Sequence, residues 1–302
     1  RAPGCGRPRM FERFSRSWAL CKLSFRVIRA DKETLLFPLV GIVLALGHAA
    51  ATLWLPVSYF IHYQFEHMGQ PSSYEPRPLD YALVVLMSFG LHYINAFTDT
   101  CISYTARVRF AGGNATFFES VRFALSRSGK LLAWSLMALS FGLLLAALDR
   151  AAQKLRNLGG RALELLGGLL DTMWSIATLF VIPAMVYEPV GPYDAIKRST
   201  QVLRRTWGES LIRHYGMGWL SFLAMLPGVA LIMVPFGAPS ALAGVVPYFF
   251  VAGVAWFIIV AMVFGVANVI FNTALYEYAT TRKLPGGFPR EVMQGAFSRR
   301  GG

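Results

Sequence analysis

The chain has 302 residues, of which 55% are hydrophobic and only 15% are charged, and its mean hydropathy is +0.47. A soluble globular domain carries about 25% charged residues, so this composition argues against an ordinary soluble fold. A net charge of +13 could by itself indicate a nucleic-acid-binding protein. Here, however, the basic residues stand in short segments beside apolar runs, where they attract anionic lipid, and we expect no nucleic-acid partner.

Six apolar runs are long enough to cross a bilayer, whose hydrocarbon core takes about 20 residues of helix. We number them spans one to six: Leu35–Val57, Tyr81–Tyr104, Leu131–Leu148, Leu165–Tyr187, Gly216–Phe236 and Val245–Tyr276. The sixth is long enough to tilt or to extend into the cytoplasm. The runs predict an all-α, polytopic membrane protein with six transmembrane helices in a single domain, residues 10–290.

The two ends of the chain lack this apolar pattern. Residues 1–9 consist mainly of Gly, Pro and Arg, and we expect a disordered leader that precedes a native start at Met10. Residues 291–302 are expected to form a disordered cytoplasmic tail.

An amphipathic segment precedes each pair of spans, at Phe11–Arg29, Thr116–Ser128 and Pro192–Thr206. In the first, one set of apolar residues shares a narrow arc at 100° per residue and the basic residues lie outside it, which is typical of a helix at the membrane interface. The chain is therefore predicted to form three helical hairpins, each preceded by an amphipathic cytoplasmic elbow helix.

The second and third elbows resemble each other in sequence. Residues 118–122 align with residues 193–197, and the segment 104–113 after span two aligns with 278–287 after span six. Either a parallel internal repeat or chance similarity among amphipathic helices explains these matches.

The basic residues are divided unequally between the two sides of the predicted membrane. Of the 29 Lys and Arg, 24 lie on one side: nine before span one, five after span two, five after span four and five in the tail. Cytoplasmic segments retain positive charge, so we expect both termini in the cytoplasm of a cell membrane. The loop 149–161, with four basic residues, departs from this pattern. Anionic lipid headgroups are the expected partners of the basic elbows, and possible protein partners stay unknown.

The connections on the other side are predicted to be an aromatic loop at Ser58–Asp80, a helical extension of span three at Asp149–Arg161 and a tight turn at 237–244. The first loop holds His62, Glu66 and His67, but not in the order that a zinc peptidase needs.

Six polar residues inside spans form a candidate intramembrane polar cluster: Asn95 and Asp99 in span two, Ser175 and Thr178 in span four, and Asn268 and Asn272 in span six. Each Asn-containing pair has i,i+4 spacing and so lies on one helix face. Three interpretations stay open. The residues make interhelical hydrogen bonds of about 0.6 kcal/mol each, or line a polar cavity for an ion or small solute, or relay protons through Asp99.

No motif indicates chemistry. A Walker loop, a nucleophile elbow and a carboxylate dyad are all absent, and Cys5, Cys21 and Cys101 do not have metal-site spacing. We therefore expect no enzyme activity, no catalytic residues, no cofactor and no metal.

Two stretches resemble a bacterial family of uncharacterised six-span integral membrane proteins. One is Met10-Phe11-Glu12-Arg13-Phe14-Ser15-Arg16-Ser17-Trp18 with Arg29-Ala30-Asp31-Lys32-Glu33; the other runs from Phe180-Val181-Ile182-Pro183-Ala184 to Thr206-Trp207-Gly208. The resemblance covers most of residues 10–290. It implies a six-span helical protein of unknown function in the bacterial cytoplasmic membrane, and it brings no catalytic residues. The elbow-and-hairpin pattern is also loosely similar to the membrane domain of some glycerophosphodiester phosphodiesterases.

Two functions are compatible with these observations. The first is a non-catalytic protein that organises the membrane or binds partner proteins. The alternative is a small-solute or ion transporter that uses the polar faces of spans two, four and six.

Overall fold

The computed structural model describes residues 32–68, 75–155, 158–206, 216–233 and 244–282. A 3₁₀ turn at Lys32–Leu35 opens the described chain. The α-helices that follow are α1 (Leu36–Glu66), α2 (Pro78–Phe110), α3 (Phe117–Ser126), α4 (Ser128–Lys154), α5 (Leu158–Thr178), α6 (Val181–Tyr187), α7 (Pro192–Thr206), α8 (Gly216–Met233) and α9 (Val246–Thr281). No β-strand occurs in these ranges, so the all-α prediction is confirmed for the described residues.

Five helical stretches are long and apolar enough to cross a bilayer: Glu33–Glu66, Pro78–Phe110, Ser128–Lys154, Gly159–Tyr187 and Val246–Thr281. They correspond to spans one, two, three, four and six. Many of their large apolar side chains are exposed, an arrangement that water would disfavour and lipid tolerates. The five helices indicate a multi-pass membrane protein.

The predicted span five coincides with α8, which differs from the other five. Helix α8 has 18 residues, Gly216–Met233, and is shorter than they are. A helix of that length covers about 27 Å at ~1.5 Å per residue, close to the ~30 Å of the hydrocarbon core. It is not among the five long apolar stretches, and a sixth crossing stays a prediction.

Helix α1 continues through part of the predicted external loop, so the assignment of residues 58–66 to a loop is wrong. Neither Gly nor Pro interrupts this stretch, and polar side chains support the helix. His62 Nε2 lies 3.1 Å from Glu66 Oε1 across one turn. The ring of His67 stacks on that of Tyr63, with the ring centroids 4.2 Å apart.

Span four is two helices, not one. Helix α5 ends at Thr178 and α6 begins at Val181, after a turn at Leu179 and Phe180. Pro183 accounts for the break. It has no N–H to donate to the carbonyl of Leu179, and its ring would clash with that carbonyl in a continuous helix.

Helix α9 is 36 residues long and extends past the predicted end of span six at Tyr276. Pro247 lies in its first turn, where its missing N–H costs nothing. At ~1.5 Å per residue the helix measures about 54 Å. It is therefore longer than a hydrocarbon core of ~30 Å is thick.

The chain divides into two compact units. The first comprises the described parts of Arg1–Leu36, Ile102–Phe117 and Arg198–Gly302. In this unit α8 packs against α9. The indole N–H of Trp256 donates to the carbonyl of Ala224 across that contact, at 2.9 Å.

The second unit comprises Phe37–Cys101 and Phe118–Lys197. In it α4 packs against α5, where the ring of Trp174 stacks on Phe141 with the centroids 4.2 Å apart. Helices α1 and α2 also touch: His48 Nε2 lies 3.3 Å from the carbonyl oxygen of Leu86. Gly90 leaves room for that imidazole, because a Cβ at this position would collide with it.

Four predicted features lie outside the described residues: the leader 1–9, the elbow Phe11–Arg29, the tail 291–302 and all of the turn 237–244 except Gly244.

Candidate functional site

The helices predicted at Thr116–Ser128 and Pro192–Thr206 are present as α3 and α7. Each buries a stripe of small residues on one face. The four fully buried members are Ser120 and Ala124 in α3, and Ala195 and Ser199 in α7. Small side chains let a short helix lie close against its neighbours.

The opposite face of each helix carries an exposed aromatic residue and an exposed cation one turn later. Phe118 is 80% exposed and Tyr193 is 73% exposed, and Arg122 and Lys197 follow them at i+4. An aromatic ring beside a cation is typical of a helix at a membrane interface, where the ring lies at headgroup level and the cation meets phosphate.

These two helices correspond residue by residue. In the alignment of 118–122 with 193–197, each position has the same exposure: exposed, exposed, buried, half-buried, exposed. The first helical residues, Phe117 and Pro192, also align. A repeated unit and two amphipathic helices of the same period would both give this agreement, so both explanations stay open.

The other two aligned segments, 104–113 and 278–287, do not have matching structures. Helix α2 ends at Phe110, which aligns with Leu284, but α9 already ends at Thr281. Gly112 adopts a positive φ of 84° after α2, whereas Arg282 does so after α9 with φ 58°. Any repeat therefore differs at these helix ends.

A cavity of about 250 Å³ lies between the second half of α7 and the end of α9. Its lining residues are Arg198, Gln201, Val202, Arg205, Ala279, Thr280 and Arg282. Three of the seven are arginines and none is acidic. This site was not predicted from the sequence because Arg282 comes from a distant segment; only the i, i+3, i+7 spacing in α7 indicates it.

The geometry of α7 separates the cavity residues from their neighbours. At 100° per residue, Arg198, Gln201 and Arg205 fall within an arc of about 60°, whereas Arg204 lies about 100° from Arg205. Val202 is almost fully buried and closes the cavity with an apolar surface. Within the described part of the chain, neither Arg205 nor Arg282 forms an ion pair.

Four members of the predicted polar cluster lie in the second unit. Asn95 and Ser175 are exposed, and Asp99 and Thr178 are half-buried. The Thr178 hydroxyl lies 2.8 Å from the carbonyl of Trp174, to which it donates within its own helix. Among these four side chains the structure shows no hydrogen bond from one to another.

The other two members, Asn268 and Asn272, are half-buried in the first unit. One interhelical contact between side chains in that unit joins Ser103 Oγ and Thr273 Oγ1, at 2.9 Å, and both residues are fully buried. The Thr273 hydroxyl also donates to the carbonyl of Val269 at 2.7 Å, which leaves Ser103 as the donor to Thr273. This pair was not predicted from the sequence, since Ser and Thr are common in spans. The six-residue cluster itself stays a prediction.

In the described residues, no group of three His, Cys, Asp or Glu is placed to hold a metal ion. His62, Glu66 and His67 do not form such a group. His62 pairs with Glu66, whereas His67 Nδ1 lies 2.9 Å from the carbonyl oxygen of Tyr63.

Comparison with known proteins places the chain in a family. No curated protein and no solved structure matches it, so the expected likeness to the phosphodiesterase membrane domain has no support from these comparisons. A family model described as "Family of unknown function (DUF6159)" matches residues 79–287, which is more than half of the chain. The chain therefore belongs to the DUF6159 family of unknown function.

Proposed function

We propose that this protein is a non-catalytic membrane protein that gathers anionic lipid at one face of the bilayer, through the elbow helices α3 and α7. The observation that carries the proposal is the shared outer face of the two helices. Phe118 and Arg122 on α3 match Tyr193 and Lys197 on α7 in spacing and in exposure.

The contributions of the individual side chains to lipid binding add together, and no deep pocket is required. An aromatic ring at headgroup depth anchors each helix in the interface. Each Lys or Arg near an anionic membrane surface contributes about 1 kcal/mol of attraction. Two elbows that present the same pair of side chains therefore concentrate anionic lipid around one protein.

The proposed topology brings both elbows to the same membrane face. With six spans arranged as three hairpins, α3 follows span two and α7 follows span four, so both are cytoplasmic if the N-terminus is cytoplasmic. The charge division supports this orientation, since 24 of the 29 Lys and Arg fall on that side. We propose the bacterial cytoplasmic membrane as the location, with both termini inside the cell.

The test compares lipid bound to the protein in nanodiscs that contain phosphatidylglycerol and phosphatidylcholine, measured by native mass spectrometry. Replacing Arg122→Gln and Lys197→Gln together should lower the preference for phosphatidylglycerol, by about fivefold for each cation at ~1 kcal/mol. The matched control exchanges the cations, Arg122→Lys with Lys197→Arg, and should keep the preference because the charge is retained.

Two outcomes would contradict the proposal. If the neutralised protein keeps the wild-type preference for phosphatidylglycerol, the elbows do not recruit anionic lipid and the proposal is wrong. If the charge-conserving control loses the preference as well, the interaction depends on side-chain shape instead of charge, which also contradicts it.

A further inference from the structure

We propose that the exposed polar face of α5 docks a membrane-spanning helix of a partner protein, one that carries a Lys or Arg within the bilayer. This face consists of Glu164, Gly168, Asp171, Thr172 and Ser175, all of which are exposed. It is a different surface from the elbows, and the inference does not rest on their role in binding lipid.

The charged and hydroxyl-bearing residues of α5 all lie on one side of the helix, within an arc of about 120° at 100° per residue. They are Arg161, Glu164, Asp171, Thr172, Ser175 and Thr178. The residues that pack against α4 lie on a neighbouring side, where Gly167 is buried and Trp174 stacks on Phe141. The polar face is therefore not the face by which α5 packs against α4.

Asp171 is the residue on this face that lipid disfavours most. It lies near the middle of Gly159–Tyr187, a stretch long and apolar enough to cross a bilayer. Arg161 precedes it by ten residues, or about 15 Å along a helix, which is too far for an ion pair. A carboxylate at such a depth is costly in hydrocarbon, and in membrane proteins it pairs with an opposite charge or faces away from lipid.

The predicted spans of this chain offer no permanent cation at that depth. None of the six contains Lys or Arg, so packing one span on another would not bring such a side chain to Asp171. Two histidines lie in spans, and their rings contact backbone carbonyl oxygens, His48 that of Leu86 and His92 that of Ser88. Charge complementarity therefore favours a cation from outside the chain.

The small residues of the face suit a helix as the occupant. Among the described residues, nothing lies within 4 Å of a Cβ added to Gly168. The Thr172 hydroxyl donates to the carbonyl of Gly168 at 2.8 Å, within its own helix. Small residues one turn apart let two helix backbones approach closely in a membrane, so a partner helix can lie against α5 with its cation beside Asp171.

A second copy of the chain fits this face less well. A twofold axis along the membrane normal brings the same residues of two copies together, so Asp171 would meet Asp171. Like charges repel strongly where the dielectric constant is low. The face therefore suits a partner of different sequence.

The experiment uses the full chain in phosphatidylcholine bilayers, with a synthetic membrane-spanning helix as the partner. This Lys peptide has about 20 Leu and Ala residues and one central Lys, which lies at the same depth in either orientation. A Leu peptide, with Leu in place of the Lys, is the reference. Energy transfer between labelled protein and labelled peptide measures binding. We expect the Lys peptide to bind about tenfold more tightly or better, as is typical of a charged hydrogen bond.

Four variants locate the contact. Asp171→Asn should abolish the preference for the Lys peptide, because it keeps the shape of the side chain and removes the charge. Its matched control is Asp99→Asn, in a half-buried residue of α2, which should keep the preference. Gly168→Leu fills the open space and should weaken binding of the Lys peptide. Gly142→Leu should not, although Gly142 in α4 is also exposed with nothing within 4 Å of an added Cβ in the described chain.

A charge exchange keeps the test decisive if Asp171→Asn folds poorly. Asp171→Lys should bind a peptide with a central Asp and should no longer bind the Lys peptide. The inference is overturned if the wild type does not prefer the Lys peptide, if Asp171→Asn keeps the preference, or if Asp99→Asn loses it equally. Energy transfer between two labelled copies of the chain that disappears in Asp171→Asn would also overturn it, since the face would then bind a second copy.

Discussion

Two glycines set the closest approach of α8 and α9. A Cβ added to Gly253 would lie 2.6 Å from the Cγ1 of Ile232 and 3.2 Å from the carbonyl oxygen of Gly228. The second contact is with backbone, which cannot rotate away. Without a hydrophobic force between helices in lipid, such close packing is a main source of their association.

Replacing Gly253→Ala should therefore destabilise the pairing of α8 and α9, by about 1–3 kcal/mol as for other overpacked contacts. Gly265→Ala is the matched control on the same helix, because nothing lies within 4 Å of a Cβ at that position. Thermal unfolding in detergent measures both variants. Equal midpoints for Gly253→Ala and the wild type would show that this contact does not limit the packing.

The buried pair of Ser103 and Thr273 allows a second test at this scale. Ser103→Ala removes the donor to Thr273, which keeps its own bond to the carbonyl of Val269. Interhelical hydrogen bonds in membranes contribute about 0.6 kcal/mol, so a double-mutant cycle of Ser103→Ala with Thr273→Ala should give a coupling free energy of that order. A coupling energy of zero would mean that the 2.9 Å contact does not stabilise the fold.

At the scale of helices, sequence patterns located elements well where a local signal marks their ends. Helix α7 begins at Pro192, as predicted, because proline is favoured in a first turn and the amphipathic period continues from it. The continuation of α1 beyond Val57 was missed because hydropathy falls there. A helix needs backbone hydrogen bonds, not apolar side chains, so loss of hydropathy marks the end of an apolar span but not of the helix.

In the candidate site, too, local sequence signals predicted some residues and could not predict others. The elbow residues Phe118, Arg122, Tyr193 and Lys197 belong to segments that the sequence analysis aligned, and their exposure follows from helical periodicity within a short segment. The arginine cavity depends on tertiary contact between α7 and α9. Neither segment alone carries information on which distant residue completes it, so the sequence could not locate Arg282 there.

At the scale of the whole molecule, the proposed function depends on the unequal distribution of Lys and Arg between the two faces of the membrane. A net charge of +13 divided evenly between the two membrane faces would give no preferred lipid surface. On the proposed topology, 24 of the 29 cations lie on the cytoplasmic side. Orientation and lipid attraction then have the same cause, because the charge that holds a segment in the cytoplasm also meets the anionic inner leaflet.

The central claim is that α3 and α7 lie on the same, cytoplasmic face, and the most direct test is a set of topology reporters in living cells. Fusions after Gly113 and Gly191 should report the cytoplasm. Reporters inserted at residues 69–74, between spans one and two, and at residues 237–243, between spans five and six, should report the exterior. An external signal at residues 237–243, together with a cytoplasmic signal after Gly191, would also establish that span five crosses the membrane. An external signal at Gly113 or Gly191 would contradict the shared cytoplasmic face and, with it, the proposed role of the elbows.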